Sequence, residues 1–95
     1  DLLARSLREE QVSAQRLIDA VQAALASDRD LLDQDEQSAI DLEIKLLQKI
    51  LNEETDSAIV RKAVDHAAKA TDDFAQKRMN ASIQKALAGK NVTEI

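Results

Sequence analysis

The chain has 95 residues, with 18 acidic side chains, 13 Lys or Arg side chains and a net charge of −5. This length suits one domain with one modest core, and an acidic chain without a basic stripe is a poor candidate for nucleic-acid binding. Cysteine is absent, which excludes disulfides and thiolate chemistry, and no apolar run approaches the roughly 20 residues that cross a bilayer.

The first predicted helix covers about residues 1–28. Proline is absent and good helix formers dominate the composition, so helix is favoured throughout. The clearest apolar arc consists of Ala14, Leu17, Ile18, Val21, Ala24 and Leu25. At 1.5 Å per residue this helix is about 40 Å long, whereas the next is under about 30 Å. We therefore expect an N-terminal overhang with Leu2, Leu3 and Leu7, which could associate with a second copy of the chain.

The second predicted helix, residues 34–51, is the hub of the fold. Asp33 and Glu36 have the spacing of a capping box at its start. Large aliphatic side chains at steps of four, three and four share one helix face: Ile40, Ile44, Leu47 and Leu51. Leu46 and Ile50 widen that face, so it needs cover from more than one neighbour.

The third predicted helix covers about residues 57–88 and can kink near Thr71–Asp73. The apolar face of its first half consists of Ile59, Ala63, Ala67, Ala70 and Phe74, with Val60 and Val64 at the shoulder. Beyond Phe74 the stripe continues through Met79, Ile83 and Leu87, which we expect to be exposed or reversibly docked. Gly89 is interpreted as a left-handed C-cap residue, and residues 89–95 as a loosely ordered tail.

These elements predict an all-α fold: an antiparallel three-helix bundle with an N-terminal helical overhang, in one unit over residues 1–95. Residues 28–56 contain ten acids and three bases, whereas residues 57–95 contain four acids and seven bases. We expect this charge division to help align the bundle, although salt weakens attraction between exposed charges. The helical pattern already present at Asp1 suggests a segment of a longer protein, and without a signal peptide we expect a cytoplasmic one.

No group of residues has the spacing of a catalytic or metal site. His66 is the single histidine, and its neighbours on the same helix are Lys62, Lys69 and Ala70, so a surface histidine is the simplest interpretation. Paired acids lie at helix ends or on polar faces, where capping and the helix dipole explain them. No calcium loop, Gly-rich phosphate loop, Glu-x-x-His pair or activated nucleophile is present. The sequence therefore predicts a non-enzymatic segment with no cofactor or metal of its own.

The run from Thr71 to Ile95, TDDFAQKRMNASIQKALAGKNVTEI, carries a specific pattern. From Asp73 it reads DF-A-x-x-RM-x-x-S-hydrophobic-x-x-AL-x-G-x-x-V-x-E-hydrophobic. This run closely resembles the end of HscA-type chaperones, the branch of the DnaK family that serves bacterial iron–sulfur cluster assembly. The earlier stretch RLIDAVQAALASDRDLL also resembles their helical lid, so the resemblance covers essentially the whole chain.

The resemblance implies that this segment is a lid over a client peptide gripped by an upstream β-sandwich. In that family ATP opens the lid and hydrolysis closes it, so ATP and magnesium would belong to the parent protein. The implied partners of the parent are an IscU-like scaffold protein, seized at a short LPPVK motif, and an HscB-like J-type co-chaperone.

The resemblance also implies where the lid contacts the sandwich. The family's latch, an acid and a histidine on the first lid helix, aligns near Gln15 and Asp19 and is not reproduced. We expect a contact built from Gln15, Arg16 and Asp19 instead. The alternative is a stand-alone helical-bundle interaction module, against which the short middle helix and the absence of Trp count. A lipid-surface role is disfavoured by the acid-rich polar faces.

Overall fold

The structure, a computed structural model, describes residues 1–93 and their side chains as far as Gly89. In this part of the chain every element is helical: α1 is Leu2–Asp28, followed by a 3-10 turn at Arg29–Leu31, α2 is Gln34–Glu53, α3 is Ser57–Ala70 and α4 is Asp72–Thr93. The predicted all-α fold class is confirmed. α2 ends two residues beyond its predicted end, and the predicted third helix divides into α3 and α4 at Thr71.

Aspartate carboxylates cap three of the helices. Asp1 accepts the amide three residues on at 2.8 Å, and Asp56 accepts the amide two residues on at 2.9 Å. The predicted capping box is present at α2: Asp33 accepts the amide of Glu36 at 2.8 Å, and the Glu36 carboxylate accepts the amide of Asp33 at 3.1 Å. These bonds satisfy amides that have no partner inside the helix, so local sequence determines where these helices begin.

α1, α2 and α3 form an up–down–up bundle. The hydroxyl of Ser6 donates to that of Ser57 at 3.2 Å, so α1 and α3 begin at the same end and run parallel. α2 runs in the opposite direction, because Arg29, which follows α1, pairs at 3.2 Å with Asp41 in the first half of α2. The antiparallel three-helix arrangement predicted from the sequence is therefore present.

The core lies between these three helices, and α2 packs against both of its neighbours. The hub residues Ile40, Ile44 and Leu47 are buried, and Leu51 packs at the edge of the same cluster. The other buried apolar residues are Ala14, Ile18, Val21, Ala24, Leu25, Leu32, Val60, Ala67 and Phe74. The apolar face of α2 is thus covered from two sides along Ile40, Ile44 and Leu47, whereas Leu46 at the margin of the predicted face stays 48% exposed.

α3 is rotated relative to its predicted face. Val60, placed at the shoulder by the sequence pattern, is 0% exposed, whereas Ile59 is 44% exposed. Thr71 occupies the buried place expected for Ala70, and its hydroxyl donates to the carbonyl of Ala67 at 2.9 Å. The prediction was wrong because α3 meets α1 and α2 together, along the side shared by Val60, Ala67 and Thr71.

The N-terminal overhang is shorter than predicted. Leu2 and Leu3 are 79% and 81% exposed, but Leu7 packs against the core. The start of α3 reaches back to Ser6, so only about the first turn of α1 extends beyond the bundle.

At the other end α4 carries Met79, Ile83 and Leu87 exposed, as expected. The C-cap prediction for Gly89 was wrong: α4 continues through it to Thr93, and no glycine in the described residues has a positive φ. A Cβ added at Gly89 would meet no other atom within 4 Å, so the position does not require glycine for packing. Residues 94 and 95 of the predicted tail lie outside the described residues.

Candidate docking face

The side of α1 that faces away from the bundle carries a row of basic side chains. Arg5, Arg8, Val12 and Arg16 are separated by steps of three, four and four, so they lie on one side of the helix. All four are exposed, and they line a shallow surface groove together with Glu9 and Ser13. We call Arg5, Arg8, Val12 and Arg16 the outer row.

The three residues that the resemblance placed at the latch lie at the C-terminal end of this row, to which Arg16 itself belongs. Gln15, Arg16 and Asp19 are all exposed. The side-chain amide of Gln15 donates to Asp19 Oδ1 at 2.8 Å, so these two residues, one helical turn apart, are joined, and Arg16 lies next to them. Whether they contact another domain stays a prediction.

The arginines of the outer row have no ion-pair partner among the described residues. By contrast, Arg29 and Arg78 each pair with an aspartate, at 3.2 Å and 2.7 Å. The row also begins near the positive end of the α1 dipole, which does not favour bases. Three open guanidinium groups around one exposed valine can bind a surface that offers carboxylates and a small apolar contact.

Sequence reasoning missed most of the outer row. It singled out Arg16 but not Arg5, Arg8 or Val12. Counting back from Arg16 in helical steps would have found all three. The count could not show that these arginines lack ion pairs within residues 1–89, because that depends on which side of α1 the bundle covers.

The overhang residues Leu2 and Leu3 form a small apolar tip at the start of the outer row. Leu7, expected to share their exposure, contributes to the core instead. Self-association through this tip stays a prediction. Sedimentation of a Leu2→Ser, Leu3→Ser double variant against the unchanged chain tests it.

His66 has a partner that its own helix does not supply. Its Nδ1 lies 2.8 Å from Oε1 of Glu43 on α2, whose side chain is only 16% exposed while that of His66 is 76% exposed. The sequence interpretation of a surface histidine considered only neighbours on the same helix, so it missed this contact. The contact joins α3 to α2 at the surface of the bundle.

The first turns of α4 are held by two ion pairs. Lys77 Nζ lies 2.6 Å from Glu36 Oε2, and Arg78 Nε lies 2.7 Å from Asp28 Oδ2. The hydrogen bond from Lys77, followed by that from the Asp33 amide, lowers the pKa of Glu36 below its ordinary value. The same bond to Glu36 raises the pKa of Lys77. Glu36 thus both caps α2 and anchors α4.

Residues 1–93 contain neither the pattern of a metal site nor that of a membrane-spanning helix. No three His, Asp or Glu side chains in this range converge as metal ligands would. None of the helices in the same range has an apolar stretch of membrane-spanning length.

No protein-family model matches the chain. It is 81% identical over 95 residues to a chaperone protein HscA homolog of Polynucleobacter asymbioticus. It is also 44% identical over 95 residues to that of Ralstonia pickettii, and 44% identical over 96 residues to that of Azotobacter vinelandii. Each match covers 100% of this chain but only 15% of the relative. The chain therefore corresponds over its whole length to a C-terminal portion of this chaperone family.

Proposed function

We propose that this C-terminal segment of an HscA-family chaperone is the helical lid of the substrate-binding domain. In this role α1 closes over client peptide held by an upstream β-sandwich, in the maturation of iron–sulfur proteins in the bacterial cytoplasm. The observation that carries the proposal is the outer row of α1, whose three arginines have no carboxylate partner in the described residues. An acidic patch on the sandwich would supply those partners.

The chemistry of this contact suits a lid that must reopen. Exposed ion pairs each contribute up to about 1 kcal/mol, so a few of them hold the lid without locking it. Because these ion pairs stabilise the closed state by only a small free energy, a modest conformational change in the upstream domain would be enough to open the lid. The outer row positions α1, and the peptide is retained because its exit is covered.

The remaining components of the proposed cycle belong to the parent protein. ATP and magnesium would bind upstream, and the parent would take an IscU-like scaffold protein as client with an HscB-like J-type co-chaperone. In this proposal the segment itself carries no catalytic step.

The test is peptide release from the full-length parent. A fluorescent peptide with the LPPVK motif is bound, an excess of unlabelled peptide is added, and the release rate is measured. We compare the parent, a version that lacks this segment, and an Arg5→Gln, Arg8→Gln, Arg16→Gln triple variant. Arg61→Gln is the matched control, because Arg61 is an exposed arginine of α3 without an ion pair in the described residues.

Deletion of the segment should accelerate release, and the triple variant should move the rate toward that of the deletion. The acceleration should be about fivefold or less for each ion pair lost, with no effect of Arg61→Gln. Release that is unchanged by the deletion would contradict the lid role and leave the interaction-module alternative. Release that responds to the deletion but not to the triple variant would show that the lid docks through another face.

A further inference from the structure

α4 is attached to the rest of the molecule by its first two turns. The hydrogen-bonded α3 helix ends at Ala70, and Thr71 lies between the two helices with φ −103° and ψ 2°. Phe74 inserts into the core, and Lys77 and Arg78 make the ion pairs described above. The large apolar side chains that follow on α4 are exposed, so the attachment is confined to one end of the helix.

The core of the bundle is nearly complete without α4. Of the twelve buried apolar residues in the described part of the chain, only Phe74 belongs to this helix. The others lie on α1, α2 and α3 or in the turn after α1, and we call that three-helix unit the body. A body that closes its own core does not depend on α4 for its packing.

Ion pairs carry an unusual share of the attachment of α4. Two of the four ion pairs among the described residues join it to the body. Asp28 is the last residue of α1 and Glu36 lies in the first turn of α2, so the two pairs reach both sides of the turn between these helices. Together with the buried ring of Phe74, these pairs hold the first turns of α4 against the body.

We propose that α4 opens from the body as a unit, pivoting at Thr71, and that the Lys77–Glu36 and Arg78–Asp28 pairs set how often it does so. In the open form α4 stays helical while its first turns leave the turn between α1 and α2. Opening uncovers the apolar side of α1 around Val21 and Ala24, which border α4 near Phe74. The inference goes beyond the lid role and does not rest on it.

The test measures the direction of α4 in the isolated chain. The sequence has no cysteine, so spin labels can be placed at Ser38→Cys on α2 and Gln84→Cys on α4, both exposed positions. Double electron–electron resonance then reports the distribution of distances between α4 and the body. A second label pair, at Ser13→Cys and Lys49→Cys, reports the distances within the body.

The perturbation is Lys77→Gln with Arg78→Gln, and the matched control is Lys85→Gln. Lys85 is an exposed base on the same helix without an ion pair in the described residues. In the double variant the ratio of open to closed α4 should rise by up to about fivefold for each ion pair lost. High salt should do the same in the unchanged chain and little in the variant.

Three results would overturn the proposal. Unchanged distances between α4 and the body in the double variant would mean that the pairs do not hold the helix. Broadening of the label pair within the body would mean that α4 moves only when the bundle loosens. An equal effect of Lys85→Gln would mean that the change follows from the lower positive charge of α4 and not from the loss of these two ion pairs. The measurement uses the isolated segment without an upstream domain, so its outcome does not depend on whether the segment acts as a lid.

Discussion

Leu47→Ala tests whether α2 is the hub of the fold. Leu47 is 2% exposed and belongs to the core cluster, on a helix that packs against both α1 and α3. Truncation of a leucine so enclosed removes its packing and leaves a cavity, which lowers the free energy of unfolding by about 2–5 kcal/mol. Domains of this size are stable by roughly 5–15 kcal/mol in total, so the variant should lose a large share of its stability. The melting temperature should fall by on the order of 10 °C or more.

Leu46→Ala is the matched control for this prediction. Leu46 is the preceding residue on the same helix and the same residue type, but it is 48% exposed. Urea unfolding of both variants, followed by circular dichroism at 222 nm, gives the two free energies. The reasoning would be refuted if Leu47→Ala cost less than about 1 kcal/mol, or if the two substitutions cost the same.

Three further predictions concern the register of α3, the start of α2 and the response to pH. Val60→Ala should destabilise the fold clearly more than Ile59→Ala, although isoleucine loses more atoms; urea unfolding that gives the reverse order would restore the face predicted from sequence. Asp33→Ala removes the cap of α2 and should lower the free energy of unfolding by about 0.5–2 kcal/mol, whereas an unchanged value would mean that the capping box is not needed. The pKa of Glu36 is lowered, so the stability that its ion pair adds to the fold is complete above the ordinary pKa of glutamate and is lost as pH falls through the lowered value. The pKa of Lys77 is raised, so its part of this stability is complete below the ordinary pKa of lysine and is lost only as pH rises through the raised value. The melting temperature of the unchanged chain should therefore fall more steeply with acid than that of Lys77→Gln, and parallel curves would contradict the assignment.

The hub of the fold could be predicted because its pattern was unambiguous. Ile40, Ile44, Leu47 and Leu51 form an aliphatic stripe that no charged residue interrupts, with Leu46 and Ile50 beside it, so this side of α2 was expected to be buried. α3 had two overlapping stripes, one from Ile59 and one from Val60, that share Ala67 and Phe74. When a helix has two apolar faces, its packing against neighbouring helices decides which face is buried. The sequence of α3 alone does not contain that information.

Thr71 illustrates a second limit of the sequence patterns. A polar residue in an apolar stripe counts against burial, yet the Thr71 hydroxyl donates to the carbonyls of Ala67 and Ala68 in the last turn of α3, at 2.9 and 3.3 Å. Such bonds to the preceding turn make threonine acceptable in a core and are common where helices bend. The kink and the burial therefore both occur at Thr71. The sequence pattern predicted the kink but not the burial.

The basic side chains of the chain include one group that pairs with its acids and another, the arginines of the outer row, that faces away from them. The division between an acidic middle and a basic second half is used inside the fold, because His66, Lys77 and Arg78 all contact acids of residues 28–56. The arginines of α1 lie in the same acidic chain, but none of them forms an ion pair with a carboxylate of the described residues. Their row is turned away from the acidic middle by the same helical period that buries Ile18 and Val21 on the opposite side. Rotating α1 to reach those acids would expose its core face, so the acidic middle of the chain cannot pair with this row while the core stays closed.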